Sequence, residues 1–137
     1  MSHERTSLGA AKTDVDRWRH AVEGNGDGVW DWDALTGEAF YSDRWKALLG
    51  YESHEIPNCV GEWSARVHPD DRDAMTSALN ACIDGKTEVY QSEHRVRRKD
   101  GSWRWFLDRG RIVSRTEDGR PRRFVGTLTD ITERHTL

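Results

Sequence analysis

Cysteine and proline are scarce: Cys59 and Cys82 are the two cysteines of the 137-residue chain, beside three prolines. There is no CxxC pair, and the opening MSHERTSLGA has no secretory pattern. A disulfide framework is therefore excluded, and a reducing, cytoplasmic setting is the expectation. No apolar run approaches the ~18 residues that a membrane span needs, so no membrane contact by this segment is expected. Hydrophobic residues are also few, 35% against 33% charged, a balance that on its own leans toward disorder. Seven Trp, three Tyr and three Phe weigh against it, because rings in that number provide a core. A basic surplus is missing as well. Residues 1–86 hold nine basic and sixteen acidic side chains, residues 87–137 twelve and eight, and the total is −3. Nucleic acid is excluded as a partner by that balance.

Chemistry-bearing constellations are equally thin. His54, Cys59, His68 and Cys82 lack metal-ligand spacing, and Asp31-x-Asp33 is followed by Leu35 where a calcium loop needs an oxygen, so no metal is assigned. GNGDG follows a helical pattern, whereas a dinucleotide-binding loop follows a strand. No nucleophile and base stand at useful spacing, so no catalytic residue is nominated.

What is present is alternation and punctuation. Residues 1–13 read as a polar tail, and Asp14 caps a short helix carrying Val15, Trp18, Ala21 and Val22 at helical spacing. Val29 to Asp33 and Glu38 to Tyr41 read as a first hairpin. Ser42 caps a helix over Asp43 to Leu49, and Gly50 stops it. The strongest helix starts at Pro69, with Asp70 and Asp71 in its first turn, and sets Met75, Ala78, Leu79 and Cys82 on one face before Gly85. Thr87 to Ile131 is strand-like, broken by Asp100-Gly101 and Asp118-Gly119. The expectation is an α+β domain: a five-stranded antiparallel sheet with helices on one face.

The stretch RKDGSWRWFLDRGRIV interleaves basic residues with rings as strand patterning requires. Two-residue turns at the Asp-Gly pairs would set Arg98 opposite Trp103, Val96 opposite Trp105 and His94 opposite Leu107, with Val113 and Phe124 on that face. Phe106, Ile112 and Val125 would share the other, leaving Arg97 against Arg104. Both faces then carry large apolar groups, so the outer one needs cover, from the N-terminal helix or from a second copy of the chain.

GVWDWD, LLGY, VHPDDR, RRKDGSWRWFLDRGRIV, DGRPRRFVG and TDITER, in this order, resemble a bacterial PAS domain with its C-terminal PAC motif, over about Asp14 to Arg134. The resemblance implies strand order 2-1-5-4-3 and a non-catalytic sensory and dimerisation module, spanning residues 14–132. It also implies that Asp130-Ile131-Thr132 closes the last strand and hands over to a linker. Residues 133–137 would begin that linker to an output domain, with histidine kinase and diguanylate cyclase the leading outputs for the parent. Asp130 is the expected hinge contact, accepting hydrogen bonds from its surroundings. The alternative is a ligand-free interaction spacer within such a parent.

A pocket between sheet and helices would be lined by Trp30, Trp32, Phe40, Trp45, His94, Trp105 and Leu107, with His94 its polar group and a small apolar or aromatic molecule its ligand. Core packing is the plainer reading of each ring, and Trp30 and Trp32 share one face. Val15, Trp18 and Val22 are the expected dimer or cover residues of a homodimer. Asn58-Cys59 lacks the surroundings of the GxNCRFLQ motif of flavin-binding light sensors. Asp70 to Asp84 contains no histidine for an axial haem ligand, and His68 sits where a helix cap belongs. No cofactor is assigned, and neither flavin nor haem is expected.

Overall fold

The computed structural model describes residues 21, 22, 24–59 and 61–136. The proposed tail and two of the cover residues, Val15 and Trp18, lie outside the described residues; Val22 has helical backbone and is half-buried.

The chain runs β1 (Gly28–Asp33), β2 (Ala39–Tyr41), α1 (Asp43–Leu48), a 3-10 turn (Ser53–Glu55), α2 (Gly61–Ser64), α3 (Pro69–Ile83), β3 (Tyr90–Arg97), β4 (Trp103–Arg115), β5 (Pro121–Asp130) and α4 (Thr132–Thr136). The strands form one antiparallel sheet in the order β2-β1-β5-β4-β3. Local chemistry sets the helix starts. The Ser42 hydroxyl accepts from the Trp45 N–H at 3.1 Å and also from the Val29 N–H at 2.9 Å, capping α1 while tying it to β1. His68 caps α3, its Nδ1 accepting from the Asp70 N–H at 3.1 Å, ahead of Pro69 at the first helical position. Asp71 in that first turn forms a bidentate pair with Arg95, with both contacts at 2.9 Å, and so fixes α3 on β3.

The register differs from the sequence expectation by one residue. Arg98 pairs with Ser102 across a three-residue loop, its N–H donating to the Ser102 carbonyl at 2.8 Å. Gly101 takes the left-handed position at φ +86°, and Gly119 does the same at +85° in the β4–β5 loop. Adding one loop residue turns every side chain of β4 over. His94 therefore faces Phe106, Glu93 faces Leu107, Arg95 faces Trp105, and Arg97 meets Trp103 rather than Arg104. A bulge between Ile112 and Ser114 leaves Val113 44% exposed, while Ile112 opposes Phe124.

The helix-facing side of the sheet holds Trp30, Trp32, Tyr41, Tyr90, His94, Val96, Phe106, Phe124 and Leu128, all buried. Trp45 and Leu49 of the α1 end, Trp63 of α2, and Met75 and Cys82 of α3 close over it. The other side carries Phe40, Trp105, Leu107 and Val125. Val125 is buried, Trp105 and Leu107 are half-buried, and Phe40 is exposed. Large apolar groups on both faces were expected, but the two sets differ from those first assigned.

Candidate functional site

Two opposed glycines make room for the centre of the inner face. Gly110 on β4 pairs with Gly126 on β5, and the Trp30 indole lies across both. A Cβ on Gly110 would stand 2.3 Å from the Trp30 ring, and one on Gly126 would stand 2.0 Å from it. The ring is thereby placed so that its N–H donates to Asp108 Oδ1 at 2.7 Å. The Tyr90 hydroxyl lies 3.4 Å from Asp108 Oδ2, and His94 Nε2 lies 3.9 Å from the same oxygen. His94 Nδ1 is held at 2.9 Å from the Ser92 hydroxyl. Asp108 is 1% exposed and His94 0%.

Burial decides the charges here. It pushes the Asp108 carboxyl up to about 7, against the hydrogen bonds from Trp30 and Tyr90. It pushes the His94 imidazole down to about 4, against the distant attraction of Asp71. At 3.9 Å the two groups are too far apart for a charge-assisted hydrogen bond to outweigh desolvation, so a neutral imidazole faces a carboxyl that exchanges its proton near neutral pH. His94 Nε2 has no hydrogen-bond partner among the described residues, nor do the indole nitrogens of Trp32 and Trp63, whose rings lie 5.2 Å apart. Trp63 also stacks edge-on to His94 and Tyr90. The inner face is thus packed with rings around a buried, protonatable carboxyl.

Of the pocket residues expected from the sequence, Trp30, Trp32 and His94 come together here. Trp45, on α1, belongs to the same core but stacks on Tyr41, at a centroid distance of 4.0 Å. Phe40, Trp105 and Leu107 are on the opposite face, because the three-residue loop turns β4 over and Phe40 alternates with Ala39 and Tyr41 on β2. Trp105 instead lies under the Arg95 guanidinium, 5.2 Å from its carbon. Sequence reasoning missed Asp108, Tyr90 and Trp63. The available signal was period-two spacing, since Phe106, Asp108 and Gly110 must share a face.

A second polar centre closes the end of β5. The Asp130 carboxylate accepts from Arg104 Nε at 2.8 Å and from the Thr132 N–H at 2.9 Å. The Trp105 N–H donates to the Thr132 hydroxyl oxygen at 3.1 Å, and the Ile131 N–H donates to the Trp105 carbonyl at 2.9 Å. Burial works to raise the Asp130 carboxyl, but Thr132 and Arg104 outweigh it and hold it below the usual carboxylate range. Asp130, Ile131 and Thr132 therefore clasp the start of α4 to β4.

Known proteins share this fold. A sensory box histidine kinase/response regulator from Burkholderia thailandensis superposes with a TM-score of 0.77 at 38% identity, with 88% of each chain covered. The N-terminal domain of a diguanylate cyclase with PAS/PAC sensor from Marinobacter aquaeolei superposes at 0.68 with 22% identity, covering 80% of this chain and 98% of that one, a likeness of fold. Sensor protein FixL of Bradyrhizobium diazoefficiens is 29% identical over 118 residues, which are 86% of this chain and 23% of FixL. Two-component sensor PprA of Pseudomonas aeruginosa is 30% identical over 100 residues, 70% of this chain and 10% of PprA. The chain spans about a quarter or less of these curated relatives. No helix among the described residues is long and apolar enough to cross a membrane. The family model described as PAS fold matches residues 38–128, and with the sheet order and the sensor relatives this places the chain in the PAS family, as a sensory domain.

Proposed function

We propose that this chain is the non-catalytic sensory and dimerisation module of a longer cytoplasmic signalling protein, and that it passes its state to an output domain through Asp130, Ile131 and Thr132. The observation that carries this reading is the shared carboxylate: Asp130 binds Arg104 of β4 and the Thr132 N–H of α4 at once. A shift of β4 against β5 strains together the two bonds that cross from β4, Arg104 to Asp130 and the Trp105 N–H to the Thr132 hydroxyl, which is the kind of coupled change a relay requires. A histidine kinase or a diguanylate cyclase is the output class that the relatives support. The half-buried Trp105 and Leu107 offer the outer face for a homodimer. Asp130→Ala in the full-length parent tests the relay. The expected result is output activity that no longer follows the stimulus, from a domain that still folds; unchanged output and response would remove Asp130 from the mechanism.

A second reading is favoured by the rings themselves. Trp30, Trp32, Trp63 and Phe124 already occupy the inner face, with Trp30 and Phe124 centred 5.3 Å apart. A ligand-free interaction spacer fits that filling. A thermal-shift screen with small aromatic molecules separates the two readings: a ligand selective for the native state raises the melting temperature, and a spacer responds to none.

A further inference from the structure

Three guanidiniums and one carboxylate, which is bonded to one of them, line a cleft at the edge of the relay. Arg44 of α1, Arg98 at the end of β3 and Arg104 of β4 line a cleft of about 340 Å³ with Ala47, Leu48 and Asp130. Each is held by its Nε: Arg44 to the Gly26 carbonyl at 2.9 Å, Arg98 to the Leu48 carbonyl at 3.2 Å, Arg104 to Asp130 at 2.8 Å. Two of those acceptors are neutral, so the cleft carries an excess of positive charge in a chain whose total is −3. Among the described residues the terminal nitrogens of all three make no hydrogen bond. Like charges collected in this way repel unless an anion joins them, and pinning each fork by Nε orients the remaining donors before any ligand arrives.

We propose that this cleft binds the phosphoryl group of a small phosphorylated molecule. A phosphate monoester near neutral pH carries close to two negative charges and presents three acceptor oxygens, which suits several guanidinium forks better than the two coplanar oxygens of a carboxylate. The volume lies at the lower end of the ~300–1,000 Å³ range of ligand sites, larger than a bare phosphate requires. Binding stands apart from the relay reading. Its consequence rests on that reading: a phosphoryl group drawing on Arg104 competes with Asp130, which also holds the first amide of α4.

The test is a titration of the chain with glycerol 2-phosphate at fixed ionic strength, followed by backbone amide and arginine Nε NMR, with sulfate and succinate as comparison anions. The expected result is saturable shifts centred on Arg44, Arg98 and Arg104. Arg98→Gln and Arg44→Gln, which leave the Arg104–Asp130 pair intact, should each weaken binding about tenfold, whereas Arg109→Gln, elsewhere on β4, should leave it unchanged. Three results would overturn the site: no saturable shift at millimolar ester, equal weakening by Arg109→Gln, or succinate binding as tightly as the ester. Saturable binding that leaves the amides of residues 132–136 unmoved keeps the site and overturns its coupling to the relay.

Discussion

Asp108 and Asp130 sit on neighbouring strands, on the same face of one sheet, and their protons behave in opposite ways. Asp108 opposes Leu128 and Asp130 opposes Phe106, two positions along the same ladder. The first is buried among rings, with neutral donors only, and its carboxyl is pushed up to about 7. The second has a side chain 24% exposed, an arginine and the amide of the departing helix, and stays ionised. The strand supplies the position, and the partners decide the charge. A sensor core can hold a neutral acid as a tunable group, whereas the exit of the same sheet needs a fixed anion to fasten a helix.

The largest predicted effect removes the ground on which Asp108 stands. Gly126→Ala places a Cβ 2.0 Å from the Trp30 ring and 2.2 Å from the Arg109 carbonyl oxygen, and a backbone atom cannot move aside cheaply. A loss of about 3 kcal/mol is expected in chemical denaturation, or outright failure to fold. Trp30→Phe is next. It keeps a ring over the glycine pair but deletes the 2.7 Å hydrogen bond to Asp108, for a loss of about 2 kcal/mol. Because that bond holds the carboxyl down, its removal should move Asp108 above its present value of about 7 and widen the contrast with Asp130.

The pH dependence of stability separates the buried groups. Asp108 binds its proton more tightly folded than unfolded, so its stabilisation is complete below the ordinary 3.8 and is lost as pH rises through about 7. His94 has the reverse sign: its contribution is complete above the ordinary 6.5 and is lost as pH falls toward about 4. The two oppose each other in acid, and from pH 6.5 to about 8 the slope belongs to Asp108. Denaturation midpoints of the wild type should fall across that interval, and those of Asp108→Asn should stay level. The smallest effect is at the exit. Asp130→Asn should lower stability by about 1 kcal/mol, and hydrogen exchange should quicken in residues 132–136 while the amides of β1 keep their protection. Since the Asp130 carboxyl is depressed, its contribution is present above pH 3.8 and is lost below it.

Elements and caps were legible in the sequence because the signals lie within a few residues. Ser42 and His68 cap the helices assigned to them, and the Asp-Gly pairs mark both hairpins. Register was not legible from the dipeptide, since Asp-Gly closes two-residue and three-residue loops alike. Lys99-Asp100-Gly101 uses the longer form, with Asp100 Oδ1 accepting from the Ser102 N–H at 2.9 Å. That single residue moved Trp105 and Leu107 away from His94 and brought Asp108 beneath Trp30. The pairing of Gly110 with Gly126, which makes room for the indole, depends on contacts across two strands and has no local signature. Asp130 was found through the resemblance of TDITER to a known pattern, and its partners Arg104 and Thr132 through the structure.

Carboxyl carbon-13 NMR across a pH titration tests the contrast most directly, because it reads both aspartates in one sample. Asp108 should titrate near 7 and Asp130 below 3.8. Two midpoints at the ordinary aspartate value, or Asp108 titrating below Asp130, would contradict the account.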